Sequence, residues 1–109
     1  MKRYIKSVYE EQEDVFQPNK FDEESVDAIL KLIQDAIQEK FGRRYKSLSV
    51  DFDDLYFDDY NMQCQVTVYN NNVAKLAGEF KFSPYSSYWD ITDYQQHQNT
   101  TIQKFVSTL

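Results

Sequence analysis

Between Asp22 and Gly42, Val26, Ile29, Leu30, Ile33, Ile37 and Phe41 recur at three- and four-residue steps. That spacing lines one stripe of a helix, leaving Lys31, Gln34, Asp35 and Gln38 outside it. Asp22 is a suitable N-cap, because its side-chain oxygen can accept from the free amides of the first turn. Glu23 and Glu24 then sit at the positive end of the helix dipole. Gly42 supplies a C′ stop.

Beyond the helix the period changes from 3.6 to two. Leu48, Val50 and Phe52 alternate with Ser47, Ser49 and Asp51, the pattern of a half-buried strand. In Gln63 to Tyr69, Cys64, Val66 and Val68 point one way, and Asn70-Asn71-Asn72 reads as a turn because Asn tolerates positive φ. Val73 to Phe82 should return antiparallel. There Ala74, Leu76, Gly78, Phe80 and Phe82 share a face opposite Lys75, Ala77, Glu79 and Lys81, as in a sheet covered on one side. Pro84 closes this run, and Ser87 to Thr92, with Tyr88, Trp89 and Ile91, is a candidate fourth strand.

The tail resumes helical spacing at Ile102, Phe105, Val106 and Leu109. At the other end, Tyr4, Ile5, Val8 and Tyr9 suit either a short strand or a helical turn, the spacing favouring helix. Glu10 to Lys20, which contains Pro18 and Asn19, reads as a connector. The order predicts an α+β fold: an amphipathic N-terminal helix, three or four antiparallel strands and a C-terminal helix, packed as a two-layer sandwich. With 109 residues, a single domain over 1–109 is expected, since two separate cores would each be too small to offset chain entropy.

Composition narrows the function classes. Nine Tyr, eight Phe and one Trp provide enough apolar area for a core. No apolar run approaches the ~20 residues of a membrane span, and the basic start Met1 to Lys6 lacks the apolar stretch of a secretory signal. One cysteine, Cys64, cannot make an intrachain disulfide, which suits a reducing compartment; the expected location is the cytoplasm. Twelve basic against eighteen acidic residues give a net charge of -6, disfavouring nucleic acid and anionic lipid as direct partners.

Catalytic and cofactor signatures are missing. The one histidine, His97, lies in the polar run Gln95 to Asn99 and reads as a solvated residue before or at the start of the last helix, not as a catalytic base. Cys64 falls on the apolar face of its strand as a small hydrophobe. Cys64 and His97 are too few for structural zinc. An EF-hand register from Asp51 fails, with Leu55, Tyr56 and Met62 where a ligand, glycine and glutamate belong, so only a looser carboxylate site for calcium or magnesium remains open. Gly42 and Gly78, the two glycines, cannot form a phosphate-cradling loop. The expectation is a non-enzyme without cofactor or metal.

The distinctive segment is Asp51-Phe52-Asp53-Asp54-Leu55-Tyr56-Phe57-Asp58-Asp59-Tyr60, with five Asp and no Lys or Arg. Such a run can be a solvated strand whose Phe52, Leu55 and Phe57 continue the core, its charges discouraging edge-to-edge aggregation. It can also be a recognition surface, because clustered like charges repel unless a cationic partner relieves them. On that reading Asp51, Asp53, Asp54, Asp58 and Asp59 steer a basic partner, and Tyr56 and Tyr60 add the amphipathic contact area found at interface hot spots. Glu10, Glu11, Glu13, Asp14, Glu23 and Glu24 would extend the field if folding brings them alongside.

In size, acidity and this decapeptide the chain resembles the small acidic inhibitors of phages and mobile elements: anti-CRISPR proteins, uracil-DNA glycosylase inhibitors and nuclease-immunity proteins. The resemblance implies a DNA mimic whose carboxylates occupy the basic surface of a nucleic-acid-processing enzyme, a Cas nuclease for example. The matching residues are Asp51, Asp53, Asp54, Asp58 and Asp59. The alternative is an assembly module that self-associates through its sheet edge or through Tyr85, Tyr88, Trp89 and Tyr94.

Overall fold

The computed structural model describes the backbone of residues 15–16, 22–83 and 89–109, with side chains over 22–83 and 94–109. Helix α1 spans Glu23–Phe41 and begins as its cap predicts. Asp22 adopts extended backbone, and its Oδ1 accepts from the Ser25 amide at 2.8 Å. Ser25 Oγ in turn accepts from the Asp22 amide at 3.1 Å, so two otherwise free donors are satisfied reciprocally. Val26, Ile29, Ile33, Ile37 and Phe41 are buried, and each contributes about 1.5–3 kcal/mol by leaving water.

Gly42 ends α1 differently from the expectation. Its φ of -62° is right-handed, and its amide still bonds the Gln38 carbonyl at 2.8 Å. The glycine is needed for space rather than for left-handed geometry, because a Cβ would fall 2.5 Å from that carbonyl oxygen. Just beyond it, Tyr45 stacks on Phe41 and the Arg44 guanidinium lies 5.3 Å above the Tyr45 ring, a cation–π contact.

Three strands follow: β2 (Leu48–Phe57), β3 (Met62–Asn70) and β4 (Val73–Phe82), in the antiparallel order β2-β3-β4. They are numbered after β1 (Val15–Phe16), which pairs antiparallel with β5 (Trp89–Asp90) in a separate two-stranded sheet. β3 alternates most cleanly: Met62, Cys64, Val66 and Val68 are buried, while Gln63 and Gln65 are exposed. Asn71 and Asn72 join β3 to β4 with φ of 54° and 67°. Positive φ at both central positions matches the twist of the flanking strands, and Asn meets it at modest cost.

Helix α2 (Ile91–Ser107) completes the chain. Its Ile102, Phe105 and Val106 join the α1 stripe, the inner face of β3 and Phe80 and Phe82 of β4 in one apolar cluster. α2 approaches β4 closely at Gly78, where a Cβ would stand 3.2 Å from both Phe105 and Leu109. Lys40 Nζ ties the two helices by donating to the Val106 carbonyl at 3.1 Å, near the negative end of α2.

The last third departs from expectation. Within Ser87 to Thr92, the candidate fourth strand, the described Trp89–Asp90 pairs with Val15–Phe16 instead of with the main sheet, and Ile91 already opens α2. His97 therefore lies within α2 rather than at its start, exposed, with its ring stacked 5.5 Å from Phe82. Val15–Phe16 likewise places a short strand inside the expected connector. The readings of residues 2–9, of the closure at Pro84 and of Tyr85 and Tyr88 fall outside the described residues.

Candidate functional site

The acidic decapeptide is mostly strand, because β2 runs on to Phe57. Up to Asp53 its pairing with β3 is regular, Asp51 opposite Thr67 and Asp53 opposite Gln65. It resumes with Tyr56 opposite Gln63 and Phe57 opposite Met62, so Asp54 and Leu55 together face the single residue Cys64. This is a β-bulge, and Asp54 takes it up with a φ of 54°. Asp is among the few non-glycine residues that enter this region readily.

The bulge changes the phase of the strand. Before it the even-numbered Leu48, Val50 and Phe52 face the core; after it the odd-numbered Phe57 does, across from the buried Met62. An unbroken strand would send Phe52 and Phe57 to opposite sides. Of the three apolar residues expected to continue the core, Phe52 and Phe57 do so, but Leu55 is 42% exposed.

On the outward face the same phase change groups the polar side chains into cross-strand rows. Asp51 aligns with Thr67 and Ala77, Asp53 with Gln65 and Glu79, and Tyr56 with Gln63 and Lys81. Asp51 and Asp53 are exposed and about 6.6 Å apart along the strand. Lys81 reaches toward Glu79 at 3.9 Å rather than toward β2. The Glu79–Lys81 pair was not part of the sequence expectation; its signal was the period-two placement of both residues opposite the apolar face of β4.

Asp58 has a different task. Its Oδ1 accepts from the amides of Tyr60 and Asn61 at 2.9 and 2.8 Å, and its Oδ2 accepts from the Tyr56 hydroxyl at 3.1 Å. Its own amide donates to the Asn61 carbonyl, and Ser83 Oγ donates to Asn61 Oδ1, fastening the turn to the end of β4. The two backbone bonds hold the Asp58 carboxyl below its ordinary range, and the bond to Asp58 raises the Tyr56 hydroxyl above its own. Asp58 is thus a turn residue with its acceptors engaged.

Asp51, Asp53, Asp54 and Asp59 have no hydrogen-bond or ion-pair partner among the described residues, and all four are exposed. Around them stand Leu55, Tyr56 at 53% exposure and Tyr60 at 45%. The site residues drawn from the sequence therefore separate into four unpaired carboxylates with two exposed tyrosines, and one carboxylate that builds the turn. Glu23 and Glu24 are exposed in the first turn of α1. Glu10, Glu11, Glu13 and Asp14 lie outside the described residues.

Elsewhere, no three His, Cys, Asp or Glu side chains among the described residues come together as a metal site. Cys64 is buried, and that burial pushes its thiol up to about 11, so it is protonated and unreactive near neutral pH. Tyr94, counted among possible surface aromatics, is instead packed against Phe82 with its hydroxyl raised by burial. Among the described residues no helix is long and apolar enough to cross a membrane. No protein-family model, no curated protein and no solved structure matches this chain.

Proposed function

We propose that this chain is a two-layer α+β binding protein that presents the outer face and turn of β2 to a basic surface on a nucleic-acid-processing protein, acting as an inhibitor or immunity-type antagonist. One observation carries the reading: Asp51, Asp53, Asp54 and Asp59 are exposed within nine residues of each other and are neutralised by nothing in the described fold. Charge left uncompensated in the folded chain is available to a cationic partner. It accelerates encounter and sets orientation, while Leu55, Tyr56 and Tyr60 supply area to be buried on contact.

A surface that binds nucleic acid does so largely by neutralising phosphates with Lys and Arg. A row of carboxylates competes for those same cations, so inhibition needs no chemistry from this chain. The protonated, buried Cys64 thiol and the His97 ring stacked on Phe82 accord with a non-enzymatic role. A cytoplasmic site of action and a Cas nuclease as one possible target belong to the same proposal.

The test compares the wild-type chain with the variant carrying Asp51→Asn, Asp53→Asn, Asp54→Asn and Asp59→Asn, which leaves Asp58 and its turn intact. Immobilised wild-type protein should retain a basic nucleic-acid-binding protein from lysate at low salt, release it as salt rises and yield it to DNA or RNA. The variant should weaken that binding by on the order of tenfold or more. Undiminished binding by the folded variant would refute the electrostatic reading.

A further inference from the structure

The two edges of the main sheet are unequal. β2 carries the Asp54 bulge and a row of carboxylates, two of the devices by which natural sheets prevent a further strand from adding. Among the described strands β4 pairs with β3 alone, and its stretch Leu76–Phe82 keeps regular register, the irregularity at Lys75 lying outside it. Among the described residues no strand lies on its outer side. We propose that this edge pairs with the β4 of a second copy, antiparallel about a two-fold axis through Phe80.

Pleat and charge select that register. Side chains of paired strands must point to the same side, which restricts the axis to pass through a residue rather than between two. An axis at Gly78 would oppose Lys75 to Lys81, and one at Glu79 would oppose Glu79 to itself; like charges directly opposite destabilise a sheet. An axis at Ala77 runs the pairing through the irregularity at Lys75. With the axis at Phe80, Glu79 of each copy faces Lys81 of the other, and Ala77 faces Ser83.

Directly opposite residues have Cβ atoms ~4.5–5.5 Å apart, nearer than the ~6.6 Å between Glu79 and Lys81 along one strand. Those two side chains are already extended toward each other at 3.9 Å while remaining 44% and 66% exposed, so both are accessible for the exchange. The result is a square of alternating charge on the outward face.

The arrangement also reconciles pairing with the chain's net charge of -6. Joining through β4 makes a six-stranded sheet with the two β2 strands at its ends, five strand spacings or ~24 Å apart. That exceeds the Debye length of ~8 Å at physiological ionic strength, so the acidic edges scarcely repel. Both copies keep the outer face of β2 uncovered, and the inference does not depend on what that face binds.

Sedimentation over a wide protein concentration range decides the matter. Wild-type protein should approach twice the monomer mass as concentration rises. Glu79→Lys alone and Lys81→Glu alone should each weaken association by roughly tenfold or more, because two like-charge pairs replace two opposite ones. The swap carrying both substitutions should restore it, which a merely structural role for either residue would not produce. A wild-type chain that stays monomeric throughout overturns the proposal. So does a dimer indifferent to both reversals, or a monomer that adds an extended strand only from a different protein.

Discussion

The two faces of β3 differ by one residue of phase and by almost everything else. Met62, Cys64, Val66 and Val68 are sealed under the helices, whereas Gln63 and Gln65 on the reverse meet solvent beside the carboxylates of β2. The covered face holds the apolar cluster that stabilises the fold. The open face holds the β2 carboxylates Asp51 and Asp53, which have no partner among the described residues. Stability and the proposed recognition are therefore separable here at the level of alternate residues, and substitutions can test each without the other.

The sharpest break is predicted at Phe80→Ala, which removes a fully buried ring packed edge-on against Phe105 at 5.4 Å. Denaturant unfolding should show a loss of about 3–5 kcal/mol. The reverse-face change Gln65→Ala should stay within about 0.5 kcal/mol of wild type. Equal losses at the two positions would contradict the division.

An intermediate effect is expected at Asp58, the acidic residue that belongs to structure. Asp58→Ala should lower the unfolding midpoint visibly more than Asp58→Asn, because Asn keeps an oxygen for the Tyr60 and Asn61 amides. The charge contribution has a defined sign. The folded carboxyl titrates below its usual 3.8, so its stabilisation is fully present above that pH and is lost as pH falls through the lower folded value. Wild type should accordingly lose more stability on acidification than Asp58→Asn does, as followed by circular dichroism.

The smallest effect on folding is predicted for Asp51→Asn with Asp53→Asn. Neither carboxylate has a partner among the described residues, so stability should hold within about 0.5 kcal/mol or rise slightly as repulsion falls. A clear destabilisation would mean that these residues serve the fold after all.

Legibility in the sequence followed the same division. The α1 stripe, the Asp22 cap, the alternation of β3, that of β4 from Leu76 to Phe82 and the Asn turn were readable because each is a local rule obeyed locally. Ala74, expected on the apolar face of β4, is instead exposed because the irregularity at Lys75 shifts the phase before it. α2 was harder to read from its start, since Gln98 and Thr101 occupy stripe positions between Tyr94 and Ile102 and interrupt the apolar pattern. The Thr101 hydroxyl satisfies itself on the His97 carbonyl at 2.8 Å, a backbone partner that hydropathy does not register. The pairing of Trp89–Asp90 with Val15–Phe16 was not legible because two residues of strand cannot be distinguished from loop by composition.

The acidic segment was legible as a cluster and not as an arrangement. Composition marked all five Asp alike, yet geometry gives Asp58 to the turn, Asp54 to the bulge and Asp51 and Asp53 to the open face. The one clue to the bulge was that Phe52 and Phe57, five residues apart, cannot share a face of an unbroken strand. Asp54, a residue tolerant of positive φ, sits between them.

That bulge leaves β2 a single codon away from another hairpin. Loss of Asp54 alone would set Leu55 opposite Cys64, remove the positive φ and let the alternation run unbroken from Leu48 to Phe57. Phe52 and Phe57 would keep their places, while Leu55 would withdraw from the surface. Along an evolutionary lineage, such a deletion would pass almost unnoticed by the core and be felt by whatever meets the exposed end of the hairpin. Insertions and deletions here are therefore a means of changing the presented shape without redesigning the protein that presents it.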